Sequence, residues 1–139
     1  MNVGKLIHER WAAAAALNAL LPVSRVVTGT YFAEEPSLDD GYATITRPGD
    51  APLAWFADGS RLDRVPVRIT VYVSRDKHDE GEAIADAVKM AFDGAACSLS
   101  TDDMVLRMML SAYQPLDDDD GNWYFILDFD CTVSSGGTP

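Results

Sequence analysis

Leu62-Asp63-Arg64-Val65-Pro66-Val67-Arg68-Ile69-Thr70-Val71-Tyr72-Val73-Ser74 is the segment from which the fold is read. Val65, Val67, Ile69, Val71 and Val73 recur at every second position, and Arg64, Arg68, Thr70 and Tyr72 stand between them. A period of two sends successive side chains to opposite sides of a β-strand, so one side here is apolar and the other polar. Such a strand belongs to an antiparallel sheet with one covered face. Pro66, which has no N–H to donate, places the beginning of the strand at a sheet edge or beyond the paired region.

Downstream, apolar residues at Ile84, Ala87, Val88, Ala91 and Phe92 mark one face of a helix over Asp79–Asp93. Asp76 and Asp79 are both plausible N-caps, and Gly94 can supply a left-handed stop. Two alternating segments follow. Met104, Leu106, Met108, Leu110 and Ala112 share one side of Met104–Tyr113, and Trp123, Phe125, Leu127, Phe129, Cys131 and Val133 share one side of Asn122–Val133. Gln114–Gly121 between them holds a proline, four aspartates and a glycine, which is turn chemistry. Upstream, Tyr42–Thr46 is a strand, and residues 48–61 (PGDAPLAWFADGSR) form a long hairpin arm. Arg25–Thr30 is β-branched and ends near Gly29, a brief strand or an extended lead-out. Val3–Leu21 has apolar residues at helical spacing and predicts about five turns ended by Pro22. Its five alanines, Ala12–Ala16, leave room for another element to approach closely. The expected fold is a single α+β domain of order α-β-β-β-α-β-β. It has a mostly antiparallel sheet of about four to five strands packed against two helices, a core over 3–134 and a flexible tail from 135 to 139.

The chain has 139 residues, 47% of them apolar, which suits one core. Eleven Lys+Arg against 22 Asp+Glu give a net charge of −11. The basic residues are scattered singly, so specific nucleic-acid binding and anionic membrane surfaces are poor fits. No apolar run reaches the length of a membrane span, and no cleavable leader is expected in the first 20 residues. Cys97 and Cys131 match no metal spacing and point to a reducing compartment. Cys131 falls on an apolar strand face as an inert thiol, whereas Cys97 could be exposed.

Candidate chemistry is sparse. Asp117–Asp120 lacks the alternation, central glycine and distal glutamate of a calcium loop and reads as a solvated hairpin tip. Asp128 and Asp130 lie two residues apart on one strand face and could hold a metal for hydrolysis. Their neighbours across the sheet, Arg64, Arg68 and Arg107, make cross-strand ion pairing the better reading. His8 and His78 lack partners at ligand spacing. No nucleotide loop, nucleophile elbow or cofactor motif is present, so no enzyme, metal or cofactor is expected. The unusual residues concern surfaces. Tyr31, Phe32, Leu53, Trp55 and Phe56 sit in polar segments, either as anchors for a partner or tucked back as a lid on the sheet. Tyr72 and Tyr124 lie on the face opposite the core, which suits burial by another subunit.

The order of these patterns resembles phage tail-completion proteins, the family of tail terminators and related minor tail proteins. The resemblance rests on Leu17-Asn18-Ala19-Leu20-Leu21 running into Arg25-Val26-Val27, on Glu34-Glu35-Pro36 before Tyr42-Ala43-Thr44-Ile45, and on Val67–Ser74 followed at once by the Ile84-Ala85-Asp86-Ala87-Val88 helix. The turn Asp118–Trp123 leading into an alternating strand completes it. It covers roughly residues 3–134. It implies a structural protein of the virion tail, assembled in the bacterial cytoplasm. Copies would form a ring, commonly of six, that caps the tail tube, contacting the tube protein below and a head-completion or connector protein above. The implied contact residues are the five loop residues above together with Arg64, Arg68, Tyr72, Arg107, Tyr124, Asp128 and Asp130. A small-ligand or protein-binding adaptor and a head–tail connector are the alternatives, with a metal-dependent hydrolase the weakest.

Overall fold

A computed structural model describes residues 3–29, 38, 40–47, 51–55, 59–98 and 104–135. In chain order its elements are α1 (Val3–Ala13), α2 (Ala15–Leu20), a 3₁₀ turn (Val23–Arg25), β1 (Val26–Thr28), β2 (Tyr42–Thr46), β3 (Ala51–Trp55), β4 (Arg61–Val73), α3 (His78–Phe92), β5 (Ala96–Ser98), β6 (Met104–Asp117) and β7 (Trp123–Ser135). The seven strands found among the described residues form one sheet in the order β1-β2-β4-β7-β6-β5, with β3 also paired to β4. All pairs are antiparallel except β1 with β2. The α+β class and the antiparallel character follow the expectation, while the strand number exceeds it.

β4 holds the sheet together because it is long enough for three partners. Its first residues, Arg61–Arg64, pair with β3, Arg68–Tyr72 pair with β2, and its other edge pairs along its whole length with β7. Pro66 falls between the β3-paired and β2-paired stretches, where that edge of β4 has no partner strand among the described residues. The arm expected over 48–61 therefore contains a strand of its own, β3, closing a hairpin onto Arg61–Arg64. β7 continues through Ser134 and Ser135, opposite Leu62 and Arg61, so Ser135 belongs to the sheet and not to a tail.

The alternation in β4 and β7 is realised as expected. Val65, Val67, Ile69, Val71, Phe125, Leu127, Cys131 and Val133 are fully buried on one side, and the helices pack there in a single continuous core. The alternation in β6 breaks at Ser111. A bulge between Leu110 and Ala112 sets Leu110 opposite Phe129 and Ala112 opposite Asp128. Ala112 thus turns to the outer face, contrary to the pattern, and Tyr113 moves onto the core side beside Phe125, with centroids 6.5 Å apart.

The expected five-turn helix is two helices. Ala14, at φ −82° and ψ 91°, leaves helical geometry, and its N–H is shared between the carbonyls of Arg10 and Trp11. The break lets Leu17 and Leu21 turn inward and brings the Trp11 indole N–H within 2.8 Å of the Leu21 carbonyl. Ala12, Ala13, Ala15 and Ala16 are exposed, so no described element uses the room they leave. Neither expected aspartate caps α3. Its N-cap is Lys77, and Asp76 instead accepts from the Ser74 hydroxyl at 2.7 Å, which holds its carboxyl below the usual range.

After α3, Gly94 at φ +76° turns the chain back so that Ala95 and Gly94 bond Met108, and Cys97 enters β5. Cys97 is consequently buried, contrary to the exposure the sequence allowed, and burial pushes its thiol up. Cys131 is raised to about 12 by the same cause. Both thiols are expected to resist a small alkylating reagent in native buffer and to react together on unfolding. Selective modification of Cys97 in native conditions would show β5 opening by itself.

Candidate assembly surface

The side of the sheet away from the helices is built by the alternate residues of β2, β4, β7 and β6. Tyr42 lies opposite Tyr72, and Tyr72 opposite Tyr124, so one row of three tyrosines crosses three strands. Their rings stack at centroid distances of 4.7 Å and 6.3 Å. In the next row Thr44 faces Thr70, and Thr70 faces Ile126. Thr44 and Thr70 are only 3% and 6% exposed although they point away from the helical layer. The tyrosine and threonine rows floor a trough of about 650 Å³, with Asp118, Asp120 and Asn122 of the β6–β7 turn among its lining.

Below these rows the face becomes ionic. Arg68 stands directly opposite Asp128 and donates to it from Nε at 2.8 Å and from a terminal nitrogen at 3.2 Å. Arg64 makes the same two-pronged contact diagonally with Asp130, at 2.8 and 3.3 Å. In each case the hydrogen bond and the carboxylate charge raise the arginine above its ordinary value. Cross-strand pairing is thus what these carboxylates do. Each is committed to its own guanidinium, and they do not converge on a common point where a cation could sit. At their exposure such pairs add little stability and are screened by salt.

The other expected contact residues are distributed as follows. Arg107 is exposed on β6 opposite Thr132, at the ionic end of the face. Leu53 and Trp55 fall on β3, Trp55 opposite Arg61. Tyr31, Phe32 and Phe56 lie outside the described residues. Tyr42 was not among the expected contacts, and parity with Tyr72 across a hairpin was the available signal. Met109, 60% exposed opposite Asp130, also joins this face by the ordinary alternation of β6, between the core-facing Met108 and Leu110.

The remaining candidates are structural. Asp118 Oδ1 accepts N–H bonds from Asp120 and Asn122, which makes the acidic run a self-bonded turn. His8 is half-buried and bonds Thr28 at 3.1 Å, and burial lowers its pKa. His78 packs edge-on against Trp123, centroids 4.5 Å apart. Asp79 and Glu82 lie within reach of its ring, all three on the exposed first turns of α3. Asp63 is a buried carboxylate, 1% exposed, held at 2.8 Å by Arg61 at the root of the arm.

A helix-backed sheet whose other face carries a tyrosine row and paired charges offers a surface for contact, and the comparison with known proteins identifies the setting. Residues 5–134 match the family described as tail completion protein gp17. The chain belongs to that family. This tail-completion chain is a structural protein of phage tail assembly, as the resemblance in its sequence implied. Its fold is also that of a chain from the virion of a native gene transfer agent particle, 17% identical, with a TM-score of 0.67 over 93% of this chain and 92% of that one. A second solved structure, 15% identical, covers 100% of this chain and 99% of its own with a TM-score of 0.61. No curated protein matches the chain. The family match spans every element from α1 to β7, so the tyrosine row and the ion pairs all lie inside the tail-completion domain.

Proposed function

We propose that copies of this tail-completion chain close into a ring that ends the tail tube at its head-proximal side and presents a docking face to head-completion proteins. The observation that supports this most directly is the ionic half of the outer sheet face, where Arg64 and Arg68 are each already paired with a carboxylate. A neighbour can cover Arg64–Asp130 and Arg68–Asp128 without stranding a charge, which is the condition under which burying ions is tolerable. β3 pairs with the beginning of β4, and in this reading the β3–β4 arm would meet a neighbouring copy. A head-to-tail contact repeated with the right rotation closes on itself, here in about six copies. The role is structural, within the virion tail after assembly in the host cytoplasm. The excess of acidic residues would line the lumen and let DNA pass without being held.

Free copies at −11 repel one another, so added salt promotes assembly. Light scattering across a concentration series, at low and at high salt, is expected to show a discrete oligomer whose population grows with both. A monomer under every condition would overturn the ring.

A further inference from the structure

We infer that the tyrosine trough is the docking groove for an extended, arginine- or lysine-bearing segment of another tail protein. This rests on the ring reading above and names what one part of its face receives.

The trough is unlike the ionic half of the same face. Among its described lining residues the one cation, Arg68, is committed to Asp128, whereas Asp118 and Asp120 at its rim form no ion pair with a described residue. The Asp120 carboxylate has no partner among the described residues. What the described lining of the trough lacks is therefore an uncommitted positive charge. The floor supplies the complementary half of a recognition site. The three stacked tyrosines form a rigid apolar rib, and the hydroxyls of Thr44 and Thr70 lie beside it. Arginine and lysine stems pack on apolar surface while their heads reach a charged rim, and a guanidinium forks onto carboxylates.

An extended segment is the shape that fits. Alternate side chains of a strand fall on one side about 7 Å apart, so a segment laid across the three-tyrosine row can set successive same-side stems on it. A second copy of this chain is the wrong occupant on charge. It carries 22 acidic against 11 basic residues and would bring more negative charge to an already acidic rim. A different, basic partner is favoured, and its binding must weaken as salt rises.

The test uses the full-length protein and two blocked pentapeptides, Arg-Val-Arg-Val-Arg and Glu-Val-Glu-Val-Glu, followed by calorimetric titration and by shifts of the tyrosine resonances. The arginine peptide is expected to bind and to shift Tyr42, Tyr72 and Tyr124, and the glutamate peptide is not. The double variant Asp118→Asn/Asp120→Asn keeps the turn's acceptor oxygens and should weaken binding tenfold or more. Tyr124→Leu should weaken it severalfold with the net charge unchanged. Asp117→Asn/Asp119→Asn removes as much charge outside the trough lining and should have little effect. If that control loses as much affinity as the rim variant, the attraction is to overall charge and the groove is refuted. Absence of binding, or tyrosine resonances that shift on self-association and not with peptide, also refutes it, the latter by giving the trough to a second copy. Ring formation is read separately by light scattering without peptide, so either idea can fail while the other stands.

Discussion

Replacing Gly81 by leucine is expected to cost the fold roughly 3 kcal/mol, and even Gly81→Ala should destabilise it. In an exposed helix interior, glycine to alanine is favourable by about 1 kcal/mol, because alanine loses less backbone freedom on folding. Position 81 reverses that sign. It lies in the first turn of α3 where the helix backbone sits directly on the sheet. A Cβ built there falls 2.7 Å from Val73 Cγ2 and closer still to Phe125 Cε2. Neither neighbour can retreat. Val73 and Phe125 are 2% and 0% exposed, and Phe125 is flanked by the rings of His78, Trp123 and Tyr113. Gly94→Ala is the instructive comparison. A Cβ there meets nothing within 4 Å, yet φ is +76°, so its cost of about 1 kcal/mol comes from the left-handed backbone alone. Urea denaturation of the variants separates the two origins. A Gly81→Ala protein more stable than the parent would show that α3 stands farther from the sheet than described here.

The same closeness connects packing to the assembly surface. Phe125 fills the core beneath Gly81, and its neighbour in β7, Tyr124, projects from the opposite side into the tyrosine row. Any shift of α3 that moves Phe125 tilts β7 and disturbs the stacking of Tyr72 and Tyr124. Gly81 variants that remain folded should therefore also bind the arginine peptide more weakly.

What the amino-acid sequence disclosed was the part governed by period. Two-residue alternation in Leu62–Ser74 and Asn122–Val133 fixes which side of each strand is buried, and so by itself sends Arg68 and Asp128 to one face. The structure adds only their register, which brings them directly opposite one another. Period fails where a single residue breaks it. Nothing about Ser111 marks it as the site of a bulge, yet that one residue exchanges Ala112 for Tyr113 on the core side. Ala14 lies within a run of the strongest helix former, and intrinsic preference there argues against the break that tertiary packing imposes. The short strand after α3 was illegible for a related reason. Ala96–Ser98 is three residues long, too brief for a pattern, and exists because a longer strand beside it offers an edge, whereas Val26–Thr28 falls within the brief strand or lead-out read over Arg25–Thr30. The tyrosine trough was half legible. Tyr72 and Tyr124 were placed on the outer face by parity, but the threonine floor and acidic rim depend on how the β6–β7 turn sits over the sheet, a long-range arrangement that no local spacing encodes.

Trp11→Ala is expected to cause the other large loss, about 3–5 kcal/mol from the emptied volume alone. The indole is 0% exposed and packs 6.1 Å from the Phe92 ring, so it joins the first helix to the end of α3. It also does what no aliphatic residue can, because its N–H satisfies the Leu21 carbonyl just after α2. Removing it leaves that carbonyl without its partner in a buried setting, which adds a further penalty of about 1–3 kcal/mol. Trp11→Phe separates these contributions. It restores most of the ring volume and omits the donor, so it should lose roughly the hydrogen-bond share and retain the packing share. Against a typical domain stability of about 5–15 kcal/mol, the alanine variant would be marginal and the phenylalanine variant folded. The corner at Ala14 exists to make this contact, so losing it should free α2 first. Faster amide exchange in residues 15–21 of the phenylalanine variant, with β4 and β7 unchanged, is the expected signature. Equal loss of protection throughout would mean that the corner and the sheet open as one unit, and that Trp11 supports the whole outer face and not just the helix pair.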